Sequence, residues 1–236
     1  GRFTKIVLDS CIFKNFDLHQ VDGAAIKAKL NDCCTIYNCS FENFICANAF
    51  SFDEMQTAHN TDHFIDTCNF TNIKLTPFDS STDITLNGII YLPKILNFKI
   101  QGCRIVSCGS YTDEKRPALK FPSASMNTAQ IENCYFERNG PYEYGSCLYA
   151  VGTKSIVISG STFIHNGDPD NCQDTEVTIS AGTRTDSIIT INNCVINPNH
   201  QVRDNANKPV AFKLSAFTIN YEYNIIEDTE TFNDKD

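Results

Sequence analysis

Ile131-Glu132-Asn133-Cys134-Tyr135-Phe136, or IENCYF, carries the pattern that decides the fold. An aliphatic residue, a polar one, a turn-former, a Cys and an apolar residue two places on recur along the chain. The other copies read LDSCIF at 8–13, IYNCSF at 36–41, IDTCNF at 65–70, IQGCRI at 100–105, ISGSTF at 158–163 and INNCVI at 191–196. The central Cys or Ser stands at 11, 39, 68, 103, 134, 161 and 194, giving steps of 28, 29, 35, 31, 27 and 33 residues. Self-similarity at roughly 20 to 50 residues marks stacked supersecondary units.

Aligned on the Cys column, the copies separate inside from outside. Three places before it stand Leu8, Ile36, Ile65, Ile100, Ile131, Ile158 and Ile191; two places after it stand Phe13, Phe41, Phe70, Ile105, Phe136, Phe163 and Ile196. Polar residues alternate with them, Tyr37 excepted, and a period of two is that of a half-buried strand. Just before the Cys stand Ser10, Asn38, Thr67, Gly102, Asn133, Gly160 and Asn193, types suited to a tight turn. Each copy therefore reads as strand, sharp turn, strand. A weaker strand signal precedes most copies: 23–28, 49–52, 88–92, 118–121, 147–151, 177–180 and 210–214. Three short strands per repeat, with no helix to serve as a βαβ crossover, specify one coil of a parallel β-helix. The expected fold is all-β: a solenoid of about seven coils over residues 1–226, followed by an acidic tail at 227–236.

The phrase I-x-N-C-x-F-x-x-N resembles right-handed parallel β-helices of the pectin-lyase-like superfamily. It is most similar to the repeats of polymorphic outer-membrane proteins and autotransporter passengers. Phe136-Glu137-Arg138-Asn139 and Phe163-Ile164-His165-Asn166 match their FxxN tetrapeptide, and Gly23-Ala24-Ala25-Ile26 comes close to their GGA[I/L/V]. Three copies shorten FxxN to Phe-x-Asn, at Phe13/Asn15, Phe41/Asn43 and Phe70/Asn72. The resemblance implies a right-handed coil and leaves function open, because this superfamily holds both enzymes and inert rods.

The chain has 236 residues, 12 cysteines and a formal net charge of −9. With no Lys/Arg cluster to neutralise phosphates, nucleic acid is not an expected partner. No run approaches 18 apolar residues, so no membrane-spanning helix is expected. Six cysteines share the inward column, where a thiol acts as a small hydrophobe and where parallel neighbours are poorly aimed for a disulfide. A ladder of reduced thiols is expected there, with Ser161 as a substitute. Cys33, Cys34, Cys46, Cys108, Cys147 and Cys172 lie off the column and are free to pair. Asn38-Cys39-Ser40 and Asn69-Phe70-Thr71 are glycosylation sequons, the first set in a tight turn.

Candidate chemistry is sparse. His59, Asp62, His63 and Asp66 would suit a metal on a helix, but a strand places i and i+4 about 13 Å apart. His63 aligns with Ile6, Phe98, Ile156 and Ile189, which makes it a core residue. Asp168, Asp170 and Asp174 crowd one loop with oxygen ligands but lack EF-hand spacing, so they are weak metal candidates. Loops leaving each coil after the third strand fall on one edge, so 108–117, 139–146, 167–175 and 197–209 are expected to form a rim. That rim brings Tyr111, Arg116, Tyr142, Tyr144 and Arg203 together as glycan-binding candidates. Asp113, Glu114 and Glu143 are weak catalytic candidates, since glycoside cleavage needs two carboxyls about 5 to 10 Å apart.

The solenoid's ends expose strand edges, and the N-terminal edge is expected to continue into further coils or to meet a protein partner. The chain lacks an initiator Met and its first copy is under way at Ile6, so it is expected to be a processed or recombinant segment. The leading expectation is a non-enzymatic, adhesin-like or structural scaffold, extracellular or at the cell surface and without cofactors. The alternatives are a carbohydrate-binding or polysaccharide-degrading β-helix using the rim, and an intracellular component of a larger assembly.

Overall fold

A computed structural model describes residues 2–19, 22–54, 62–76, 88–91, 97–110, 117–121, 127–140, 147–167, 177–180, 186–197, 212–216 and 218–226. Strands on three faces succeed one another in each coil, and every pairing is parallel, between one coil and the next. Face 2 precedes the Cys column. It holds Arg2–Asp9, the second half of Asp22–Tyr37, Asp62–Asp66, Asn97–Gln101, Thr128–Glu132, Ser155–Ser159, Ile188–Asn192 and Thr218–Glu222. Face 3 follows it and runs from Ile12–Asp17 through Ser40–Cys46, Asn69–Leu75, Arg104–Val106, Tyr135–Glu137, Thr162–Ile164 and Val195–Asn197 to Ile225–Ile226. Face 1 comprises the first half of Asp22–Tyr37, then Asn48–Glu54, Ile90–Tyr91, Leu119–Phe121, Leu148–Val151, Val177–Ser180 and Phe212–Ser215. The chain is thus an all-β parallel β-helix, with no helix among the described residues.

Register follows the repeat. Ile131 pairs with Ile100 on one side and Ile158 on the other, and Phe136 pairs with Ile105 and Phe163. From Ile36 to Ile191 the aliphatic column is fully buried apart from Ile65 at 3%, and the column from Phe41 to Ile196 is buried throughout. Phe13 stacks on Phe41 at 5.0 Å, Phe41 on Phe70 at 5.2 Å and Phe136 on Phe163 at 4.9 Å, with Ile105 between the two runs of rings. Burying one such side chain contributes about 1.5–3 kcal/mol. Repetition along the axis makes the stack cohere through nearest neighbours.

The residue before the Cys column is left-handed in every copy. Ser10, Asn38, Thr67, Gly102, Asn133, Gly160 and Asn193 all have φ between 50° and 59°. One left-handed residue turns face 2 into face 3, which is why Asn and Gly recur there.

Two expectations need correction. The seven copies are followed by another: Tyr221-Glu222-Tyr223-Asn224-Ile225-Ile226 is an eighth, in register with Ile191–Ile196. Asn224 fills the Cys position, and Tyr223 takes the turn with φ 58°. Asp22–Tyr37 also runs as one 16-residue strand across two faces, where a break was expected.

Candidate functional site

The inward Cys column is a hydrogen-bonded ladder. Each thiol donates to the carbonyl two residues back: Cys39 Sγ to Tyr37 at 3.1 Å, Cys68 to Asp66 at 3.1 Å, Cys103 to Gln101 at 3.2 Å and Cys134 to Glu132 at 3.3 Å. The same atom accepts a peptide N–H from the preceding coil, as from Cys11 N–H to Cys39 Sγ at 3.4 Å and from Cys68 N–H to Cys103 Sγ at 3.3 Å. Ser161 Oγ takes this role for Cys134 N–H at 3.1 Å, and Asn224 Oδ1 takes it for Cys194 N–H at 2.9 Å. The column selects a small group that can both donate and accept, and a thiol, hydroxyl or amide each meets that need.

This environment raises the pKa of several of the thiols, while hydrogen bonding with Cys103 lowers that of Cys68. Burial pushes Cys39 up to about 11 and Cys34 and Cys108 up to about 12. Cys103 is raised by hydrogen bonding to Cys134 and Cys68 and by burial, and Cys194 by burial. Thiolate is the reactive form, so these groups are poor nucleophiles. Off the column, Cys33, Cys34, Cys46, Cys108 and Cys147 are also free, and Cys172 lies outside the described residues.

A second left-handed column, which composition did not reveal, lies four residues after the Cys. Asn15, Asn43, Asn72, Ser107, Arg138 and His165 have φ between 49° and 62°. The Phe-x-Asn copies are therefore not shortened FxxN copies. Both kinds turn at the same place, and the Asn stands in the turn in one and just after it in the other. Among the first three coils the turn asparagines form an outer amide ladder, with Asn43 Nδ2 donating to Asn15 Oδ1 at 3.0 Å and Asn72 Nδ2 to Asn43 Oδ1 at 2.9 Å. Inside, the next position holds Phe16, Phe44 and Ile73. In the next three coils that position holds Cys108, Asn139 and Asn166. Asn139 Oδ1 accepts Cys108 N–H at 3.0 Å, Asn166 Oδ1 accepts Asn139 N–H at 2.9 Å, and Asn139 Nδ2 donates to the Ile105 carbonyl at 2.9 Å.

Gly109, Gly140 and Gly167 follow this buried ladder, at the start of segments expected to form the rim. Gly109 has φ 143°, and a Cβ there would lie 2.8 Å from Gly140 N, so only glycine fits. The loops' glycan-binding candidates Tyr111, Arg116, Tyr142, Tyr144 and Arg203 lie outside the described residues. So do the carboxylates Asp113, Glu114 and Glu143 and the metal candidates Asp168, Asp170 and Asp174. His63 is buried at 3%, in register with Cys34 and Phe98, the core place its alignment predicts. Among the described residues, no three His, Cys, Asp or Glu side chains gather as a metal site would require.

The outer surfaces of faces 2 and 3 carry charges matched between adjacent coils. Lys14 meets Glu42 at 3.0 Å, Lys99 meets Glu132 at 2.8 Å and Arg104 meets Glu137 at 3.5 Å. Ser40 and then Lys14 hold the Glu42 carboxyl below its usual range. Arg104 also lies over the Tyr135 ring at 5.5 Å. Face 1 differs: Asn48 to Phe50 and Leu119 to Phe121 are consecutive buried residues of both parities, so both of its sides are covered there.

Stacked parallel coils, a left-handed turn column and an inward ladder together define a solenoid of the β-helix class. The right-handed β-helix region model matches residues 6–168, and the chain belongs to that family. No curated protein and no solved structure matches the chain. No helix of the described residues is long and apolar enough to cross a membrane.

Proposed function

We propose that this chain is a non-enzymatic, adhesin-like or structural rod that presents loops to a partner. The observation that carries this reading is the outer surface. Described carboxylates on faces 2 and 3, Glu222 apart, are engaged by neighbours one coil or a few residues away, so they sit on flat sheets of paired polar groups. Catalytic carboxylates work instead in converging pairs whose environments separate their pKa values.

The loop roots support the same reading. Gly140 N–H bonds the Cys108 carbonyl at 2.9 Å and Gly167 N–H bonds the Asn139 carbonyl at 2.7 Å, so the residues that precede the proposed loops are tied to one another. Loops on a rigid frame are where recognition concentrates. An extracellular or cell-surface location belongs to the proposal, and burial of the column thiols would slow their oxidation there.

The test is incubation of the purified chain with polygalacturonate, β-glucans and peptidoglycan glycans, followed by assay of new reducing ends. No release is expected. Release that disappears in Glu143→Gln or Asp113→Asn would replace the scaffold with a glycosidase.

A further inference from the structure

The polar pairing of the described outer carboxylates fails at one place. Asp9 accepts from Ser10, Asp62 from Asn97 and Asp66 from Thr67; Asp17 meets His19, and Asp186 meets Lys154. Glu42, Glu132 and Glu137 have the cations given above. Among the described acidic side chains, Glu222 is the one with neither a hydrogen bond nor an ion pair. Asn192 lies beside it in register, and its buried Oδ1 accepts no hydrogen bond. Thr190 and Asn220 complete the lining of an open depression of about 370 Å³ on face 2. Asn220 Nδ2 is turned to Thr190 Oγ1 at 3.4 Å, so its Oδ1 remains as a further acceptor.

The repeat itself shows what such a hollow takes. Lys99 stands four residues before the Cys column in one coil, and Glu132 stands two before it in the next; they meet at 2.8 Å. Thr190 and Glu222 occupy the same two places in the last two coils. The carboxylate is present where its partner should be, but a short hydroxyl replaces the ammonium. Apolar residues flank the hollow. Ile188 precedes Thr190 on the same outer face, and Tyr223, 81% exposed, follows Glu222 at the corner. Ile225 and Val195, paired with each other, continue the exposed strip around it.

We propose that this hollow receives a cationic side chain, Arg or Lys, from a basic segment of a protein partner. The proposal rests on the scaffold reading and names one of its docking points. Glu222 supplies the charge, the Asn220 oxygen accepts a further N–H group, and Tyr223 offers a ring face to the cation. Aromatic and apolar neighbours around one desolvated charge contact are the usual make-up of an interface hot spot.

The probes are acetyl-Gly-Arg-Leu-amide and its citrulline counterpart, which keeps the shape and loses the charge. The side-chain NH₂ signals of Asn192 and Asn220 are followed by NMR in the full chain. The arginine peptide should shift them saturably and the citrulline peptide should not. Glu222→Gln should weaken binding about tenfold or more, the scale of a lost charge-assisted hydrogen bond. Thr190→Lys, copying the Lys99–Glu132 pair, should fill the hollow from within and abolish the shifts while melting no lower than the parent. Equal binding by Glu222→Gln overturns the proposal, as do shifts spread along the whole rod or the same shifts from CaCl₂ alone. Absence of binding also removes this site. It leaves the scaffold reading to stand or fall on the polysaccharide assay.

Discussion

The first three coils and the next three solve the same backbone problem in opposite ways. Both place a left-handed residue four positions after the column and an inward residue one position later. In the first set the amide is outside and the hydrocarbon inside: Asn15, Asn43 and Asn72 face water while Phe44 and Ile73 are fully buried. In the second the polar group is inside, where Asn139 and Asn166 are buried at 1% and 0%, and the turn falls to Ser107, Arg138 and His165. Strand length follows. Face 3 continues past the turn in Ser40–Cys46 and Asn69–Leu75 but stops after three residues in Tyr135–Glu137 and Thr162–Ile164. There a buried amide bonds the backbone and a glycine follows it. A solenoid can therefore exchange an outer amide ladder for an inner one without changing its coil geometry.

Alkali produces the largest expected effect, and it falls on both regions. Burial raises Cys34 in the first region and Cys108 in the second from the ordinary 9.0 to about 12. Their stabilisation is complete below the unfolded pKa and is lost as pH rises from there toward the folded one. Each such thiol withdraws about 1.4 kcal/mol per pH unit over that window. Urea midpoints measured from pH 7 to 10.5 should fall steeply above pH 9, and a flat profile would mean the thiols are not buried and neutral.

Asn139→Ala separates the regions next. It strands Cys108 N–H and the Ile105 carbonyl in the core, at a cost of roughly 3 kcal/mol in chemical denaturation. A loss below 1 kcal/mol would show that the inner ladder is dispensable. Arg138→Asn acts in the other direction, replacing a residue strained at φ 52° by one that tolerates it, with a gain of up to about 1 kcal/mol. Asn43→Gly should be the mildest, at about 0.5 kcal/mol, because glycine accepts φ 60° and water replaces the exposed amide bonds. If Asn43→Gly costs as much as Asn139→Ala, the contrast between outer and inner ladders fails.

What could be read from the sequence follows this same physics. Column, turn and core ring were legible because burial and a left-handed φ restrict residue choice at three fixed offsets. The second turn escaped notice because Arg138 and His165 carry no turn signature, their backbone being held by the ladder beside them. The eighth copy was hidden because Asn224 replaces Cys and Tyr223 replaces a small turn-former, although both meet the same hydrogen-bonding and backbone demands. Phe-x-Asn and FxxN looked like one motif at two lengths because a string of letters does not show which side of the sheet an amide occupies. The rim candidates came from a placement argument alone, and their side chains lie outside the described residues. The hollow at Glu222 was not legible at all, since an unmatched carboxylate shows only when coils are laid in register.

The measurement closest to the central claim, a stacked interior of neutral thiols, is a free-thiol count by mass spectrometry. Native protein and then protein unfolded without reductant are each labelled with an alkylating agent. The account predicts that the half-buried Cys11 and Cys33 label in the native state, while Cys34, Cys39, Cys46, Cys68, Cys103, Cys108, Cys134, Cys147 and Cys194 label only after unfolding. Disulfide-linked peptides joining these nine, or their rapid native labelling, would contradict it.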